Sequence, residues 1–383
     1  MLGCWHPDRA RKSSRKFPAR SGISQDVDMN GAPDECGPQP PPPSNPIRFT
    51  QAPSSAEGGG MAERTARDLG RQLAWRSMIA GALLWATFAL ALRPSLPETS
   101  WRELELFFAV LVLVPIGLVL CVPATPTSTR AWHVACGMQP LAATVLILAW
   151  SGLPGPRAFM AALPWFALTS FCGFLALSRL RRRGIGPVGE TCVDASLFSI
   201  ALGGVWVVLA RRSELPLDWI YTDMVAEAAY FHGVGFLLLL ATGLASPRST
   251  TSFVACSQLG VLLASVAVFC LRLNALLGPH AFVELTRGWA DMLTMGACLA
   301  CAGLQIRGAL LVQAAMGVRI LWGSSAVYLA VVGAHGLYKS LGSELSGALQ
   351  APGFVLESTL VLPGFALAAL IAWNLARRSV PKA

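Results

Sequence analysis

The sequence predicts an all-α fold, a polytopic transmembrane helical bundle of about ten spans (nine to ten) behind a disordered N-terminal tail, and three observations carry that prediction. Of the 383 residues, 54% are hydrophobic and only 13% charged, where a soluble domain has about 25% charged. The apolar residues fall in long blocks, which a soluble core made of amphipathic elements does not produce. The block from Asp223 to Ala245, DMVAEAAYFHGVGFLLLLATGLA, is long enough at about 1.5 Å per residue to cross a hydrocarbon core of about 30 Å.

Taken in order, residues 1–60 are of another composition: basic at the start, proline-rich at Pro40 to Pro43, glycine-rich at Gly58 to Gly60, and poor in aliphatic residues. Such a stretch buries too little to offset the entropy of ordering, so a disordered extension is expected. No apolar core follows its basic start, so it does not read as a secretory signal. Met61 opens a second start of its own, MAERTARDLGRQLAW, and the expectation is that translation begins there and leaves the extension untranslated.

Residues 61–383 form the bundle. Its spans are expected near Leu73 to Leu92, Glu105 to Val122, Trp132 to Gly152, Ala158 to Leu177, Thr191 to Ala210, Asp223 to Ala245, Ser252 to Leu271, Trp289 to Leu304, Ala309 to Val332 and Leu356 to Leu375. Trp101, Trp132, Trp150, Trp219 and Trp289 lie near span ends, as interfacial anchors do. The eighth span is short and the ninth contains Arg319. Arginine runs close the fourth span (Arg181 to Arg183), the fifth (Arg211, Arg212) and the last (Arg377, Arg378), so the net charge of +9 is topological and no nucleic-acid surface is expected. With ten spans the basic residues favour the side of the N-terminus, which predicts both termini in the cytoplasm and a place in the cell (cytoplasmic) membrane. Eight of the ten cysteines, Cys121 to Cys301, sit in or beside apolar blocks, where they act as small hydrophobes and predict no disulfide framework.

Ionisable groups inside such blocks are costly in lipid and are therefore site candidates. The fifth span opens GETCVDASLF: Glu190 and Asp194, four apart, share one helix face. They can stabilise the positive end of the helix dipole, or Asp194 can face a polar cavity. Ala195, Ser199 and Gly203 form a neighbouring stripe of small residues suited to close packing. In the sixth span Asp223, Glu227 and Tyr230 share a stripe. Five steps of about 100° put His232 roughly 140° away from Glu227, so a regular helix cannot aim both at one point, although Gly233 and Gly235 permit a kink. For His232 three roles stand open: a hydrogen bond between helices, a proton relay or solute contact, and a haem or metal ligand. Arg319 is either buried among Ala315, Gly323 and Ala326 inside its span, or interfacial, with the span starting at Ile320.

Two patterns are discounted. Gly184, Gly186 and Gly189 match G-x-G-x-x-G, but in a short loop with no strand before it; Cys298 and Cys301 form C-x-x-C without a basic neighbour to activate a thiolate. No nucleophile and base stand at a recognisable spacing, so no enzyme activity, metal or cofactor is expected.

The segment YFHGVGF resembles the YndJ-like family of multi-pass bacterial membrane proteins through Phe231, His232, Gly235 and Phe236, with Tyr230 where that family has a first histidine and Gly233 where it has an aromatic residue. Similar segments are ELFFAVLVLVPIGL in the second span, Gln139 and Pro140, Leu163 to Trp165, the opening from Glu190 to Asp194, Gly203 to Trp206, and Gly364 and Phe365 in the last span. The resemblance implies a multi-pass membrane fold and no particular reaction. The expectation that follows is a membrane protein, with the bilayer as its first partner, which binds or transports a small solute or ion along a polar path of Glu190, Asp194, Glu227, Tyr230, His232 and Arg319. The alternative is a non-catalytic scaffold or interaction protein whose polar groups only pack helices.

Overall fold

Nine helices make up the described part of the chain, and no strand occurs among the described residues. The computed structural model describes residues 72–73, 75–90, 98–121, 129–150, 152–212, 221–245, 252–277, 280–311, 314–341 and 371. The extension 1–60 and the expected tenth span, Leu356 to Leu375 apart from Ile371, lie outside them.

The first helix, α1, is Trp75–Leu90. The second, α2, runs as Glu98–Phe108, a π turn Ala109–Leu113, and Val114–Cys121. Then come α3 (Thr129–Trp150), α4 (Pro156–Arg183) and α5 (Val188–Ala210). Helix α6 has the same plan as α2: Tyr221–Tyr230, a π turn Phe231–Gly235, and Phe236–Leu244. The last three are α7 (Ser252–Leu277), α8 (His280–Leu311) and α9 (Met316–Leu341). Helices α2 to α9 are each long and apolar enough to cross a membrane. Large aliphatic side chains point outward from them, Leu141, Leu148, Leu263 and Leu310 among them, which suits helices surrounded by lipid.

The start and end of α4 follow from its sequence. Pro156 sits in the first turn, where a missing N–H costs nothing, and Arg181 to Arg183 fill the last turn, where cations meet the negative end of the dipole. Gly184, at φ 79°, then turns the chain out of the helix, its N–H still bonded to the Leu180 carbonyl.

The π turn in α2 has a local cause. Val114 N–H reaches back to the Ala109 carbonyl, five residues away, so the next such bond, to Val110, would need an N–H that Pro115 lacks. The Val110 carbonyl instead accepts from Gln139 Nε2 at 2.9 Å, while Gln139 Oε1 accepts from Ser77 at 3.2 Å. One buried amide thus ties α1, α2 and α3 together. From Leu106 onward helix α2 is apolar all round, and it is the most enclosed of the eight long helices.

The sequence expectation fails at two boundaries. The eighth span is not short, because α8 has 32 residues. The ninth is not continuous from Ala309, because α8 runs on to Leu311 and α9 starts at Met316.

Candidate functional site

The six residues expected to line one path do not meet at one point. They fall into three separate groups, plus Arg319 by itself.

At the junction of α4 and α5, Arg179 and Arg183 repeat at spacing four on one helix and Glu190 and Asp194 at spacing four on the next. Arg183 Nη2 donates to Asp194 Oδ2 at 2.8 Å and Nη1 to Glu190 Oε2 at 2.5 Å, while Arg179 Nε lies 3.2 Å from Asp194 Oδ1. Arg179 also donates to the Cys121 carbonyl at 3.1 Å, which satisfies the C-terminal end of α2. Asp194 is 1% exposed and Glu190 56%. Two cations face two anions, so the group is closed in charge. Both carboxylate oxygens of Asp194 are engaged by guanidinium groups.

His232, fully buried, sits on the π turn of α6 between α4 and α5. Its Nδ1 lies 2.8 Å from the Ala228 carbonyl, and Trp165 Nε1 donates to its Nε2 at 2.9 Å. Only one neutral tautomer fits: the proton on Nδ1, given to the carbonyl, and the lone pair on Nε2, given to the indole. No lone pair is left for a metal and no proton for a relay. The imidazole fits because position 203 is glycine; a Cβ there would collide with the ring. Ser199, one turn before Gly203, donates to the Phe231 carbonyl at 3.1 Å, which also accepts from Phe236 N–H across the π turn. The kink permitted by Gly233 and Gly235 is thus this π turn, and it turns His232 into α4 and α5 while Glu227 and Tyr230 face the other way.

The third group lies where α6, α7 and α8 meet. Arg272 Nη1 donates to Glu227 Oε1 at 2.7 Å, Arg272 Nη2 stands 3.6 Å from Asp291 Oδ1, and the guanidinium carbon lies 3.8 Å from the centre of the Tyr230 ring. The Tyr230 hydroxyl is 3.3 Å from that of Thr294, which itself donates to the Ala290 carbonyl at 2.8 Å. Arg272 is 20% exposed, Glu227 12% and Asp291 57%, so the group grades from buried to open. Among the described residues it brings two carboxylates to one guanidinium.

Arg319 belongs to none of these. It lies in the first turn of α9 and donates to the carbonyls of Ala309 (3.1 Å) and Leu310 (3.3 Å), the last carbonyls of α8. Of its two expected positions, the one inside a span gives way to a capping role between helices, because a guanidinium satisfies the orphan carbonyls that the helix end leaves.

The partners were not singled out from the sequence. Arg179, Arg183 and Arg272 read as topological charges at span ends, Trp165 entered only through the resembling segment Leu163 to Trp165, and Asp291 and Thr294 carried no signal of their own. The spacing of four shared by the arginine pair and the carboxylate pair was the one available clue. A further polar chain follows the same pattern: buried Arg211 donates to the Gly152 carbonyl and, at 3.3 Å, to the Tyr221 hydroxyl, which donates to Glu103 at 2.5 Å. Burial and that bond to Glu103 hold the Tyr221 phenol above its ordinary range, so it stays a donor. Among the described residues no three His, Cys, Asp or Glu side chains gather as metal ligands, and eight cysteines are free thiols.

The chain matches no curated protein and no solved structure. The model of the family described as YndJ-like protein matches residues 105–368. That match covers α2 to α9 and with them all three polar groups, and because it takes in more than half of the sequence, the chain belongs to the YndJ-like family.

Proposed function

We propose that the protein resides in the cytoplasmic membrane, with both termini on the cytoplasmic side, and binds or moves a small solute or ion at the α6–α7–α8 junction. The observation that supports this reading is the meeting of Glu227 and Tyr230 with Arg272, Asp291 and Thr294 from two other helices. The junction draws its polar groups from three helices and grades outward to the exposed carboxylate of Asp291. Its two carboxylates, Glu227 and Asp291, favour a cationic partner, inorganic or a protonated amine. Asp194, Glu190, His232 and Arg319 then act as fasteners that hold the helices which frame the junction. The reading assigns no catalytic step.

A scaffold reading is favoured by one observation of its own: both ring nitrogens of His232 are hydrogen-bonded, and Asp194 is ion-paired with two arginines, within the bundle. Flux in liposomes separates the two. Wild-type protein should pass a monovalent cation or a small amine, and Glu227→Gln should abolish most of that flux while Glu190→Gln leaves it intact. If Glu227→Gln and Asp291→Asn both leave flux at the wild-type level, the scaffold reading stands and the junction is a packing device.

A further inference from the structure

The helices pack as two groups. Within α1 to α6 the neighbours α3–α4, α4–α5 and α5–α6 lie closely against one another, as do α7–α8 and α8–α9 in the second group, whereas α5 and α6 touch α7 and α8 along a much thinner seam.

What crosses that seam is polar at both ends and apolar between. At one end Arg272 reaches Glu227, and Tyr230 reaches Thr294. At the other, Gln258 Nε2 on α7 donates to the Thr242 carbonyl on α6 at 3.1 Å, and Cys192 on α5 approaches the Gln258 carbonyl at 3.6 Å. Glu227 and Thr242 on α6, like Arg272 and Gln258 on α7, are separated by four turns of helix, so the two clasps stand about 21 Å apart at about 1.5 Å per residue. Between them lie the ring contact of Phe231 with Phe269, centroids 6.0 Å apart, and the thiol of Cys301 against the Leu238 carbonyl.

The two clasps differ in what holds them. Gln258 is 4% exposed, and its amide would lose a bond that nothing in an apolar seam replaces. The Arg272–Glu227 pair, 20% and 12% exposed, is less enclosed, and Arg272 has a second carboxylate, Asp291, on its own side of the seam, so its charge keeps a partner when the bond to Glu227 opens. We infer that the second group of helices swings away from the first at the Arg272 end, with the Gln258 clasp as the fixed end, and that water enters the seam between α6 and α8 as far as Cys298. Thr294 and Cys298 are one helical turn apart on α8, so Cys298 is the next thiol inward from the Arg272 clasp. The seam is then the route by which a solute reaches the junction, and the inference rests on that junction for its use but not for its opening.

Native cysteines report the motion. Cys298 is 1% exposed at the seam, and Cys172 is equally buried inside the first group, at the α4 face away from it. Full-length protein in liposomes is treated with N-ethylmaleimide and modification is read at each cysteine by peptide mass spectrometry. Cys298 should react measurably while Cys172 stays protected. Arg272→Gln, and separately Glu227→Gln, each of which removes the ion pair across the seam, should raise the Cys298 rate by about threefold or more, the scale on which losing a partly exposed ion pair shifts a local opening. Equal protection of Cys298 and Cys172 in all three proteins overturns the inference, and so does a rate that rises at both thiols together, which is general loosening. An opening seam in a protein that passes no cation would sink the proposed solute role alone; a shut seam in a protein that does would sink this inference alone.

Discussion

His232 is the residue whose chemistry the fold constrains most tightly. With Nδ1 on the Ala228 carbonyl and Nε2 on the Trp165 indole, its ring is used up by neighbours, and the expected effect of substitution is on stability. Trp165→Phe leaves Nε2 buried without a donor and should cost about 1–3 kcal/mol, read as a lowered midpoint of unfolding in detergent. Gly203→Ala drives a methyl group into the ring and should cost as much or more. A Trp165→Phe protein with an unchanged midpoint and reduced flux would instead return His232 to a functional role. Asp194 and Glu190 make a second contrast, since Arg183 holds both but only Asp194 is buried. Asp194→Asn removes an anion from beneath two guanidinium groups and should lower the midpoint markedly, whereas Glu190→Gln should barely move it. Sequence alone marked Asp194, Glu227 and His232 as costly in an apolar setting, and their burial or pairing agrees with that cost. It could not supply Arg183 or Arg272, because an arginine at the end of an apolar block looks the same whether it faces headgroups or folds back onto a carboxylate of a helix whose position is unknown.

At the scale of the element, the two π turns share a logic. Each frees a carbonyl from the ordinary ladder, and a polar side chain of another helix takes it up: Gln139 at Val110 in α2, Ser199 at Phe231 in α6. Each widened turn therefore doubles as a docking point for a neighbouring helix. Gln139→Leu fills the same space and leaves the Val110 carbonyl bare, which should cost about 1–3 kcal/mol in the same unfolding measurement. Gln139→Glu offers acceptors and no amide donor, so it should not restore the loss; a Gln139→Leu protein as stable as wild type would mean that the amide carries no weight. In the sequence nothing marked the turn in α2, while Gly233 and Gly235 were visible as places where α6 can depart from regularity. The register of the departure was not, because it depends on which carbonyl finds a partner 29 or more residues away. The boundary of α8 and α9 was missed for a related reason. The run from Ala309 to Val332 carries no charge apart from Arg319, and the break before Met316 is held by that arginine reaching back to Ala309 and Leu310, a contact no periodicity encodes.

At the scale of the whole molecule, buried polar groups among the described residues lie between helices while many large aliphatic side chains face outward, which suits a bundle surrounded by lipid. Two equally oily positions test what surrounds that exterior. Leu263 is 59% exposed midway along α7, and Ile185 is 73% exposed in the short connection between α4 and α5. In water an arginine would be tolerated at both, since neither side chain is packed. If the exterior of α7 faces hydrocarbon, Leu263→Arg must carry a guanidinium to the bilayer centre, a cost of about 2.5–3.5 kcal/mol on insertion scales, while Ile185→Arg joins Arg181 to Arg183 at the surface and costs nothing. The amount of protein that resists alkaline carbonate extraction from membranes should therefore fall sharply for Leu263→Arg and stay at the wild-type level for Ile185→Arg. Equal recovery of the two variants would put water against α7, and with it the solvent on which the polar groups depend for their significance would be the wrong one.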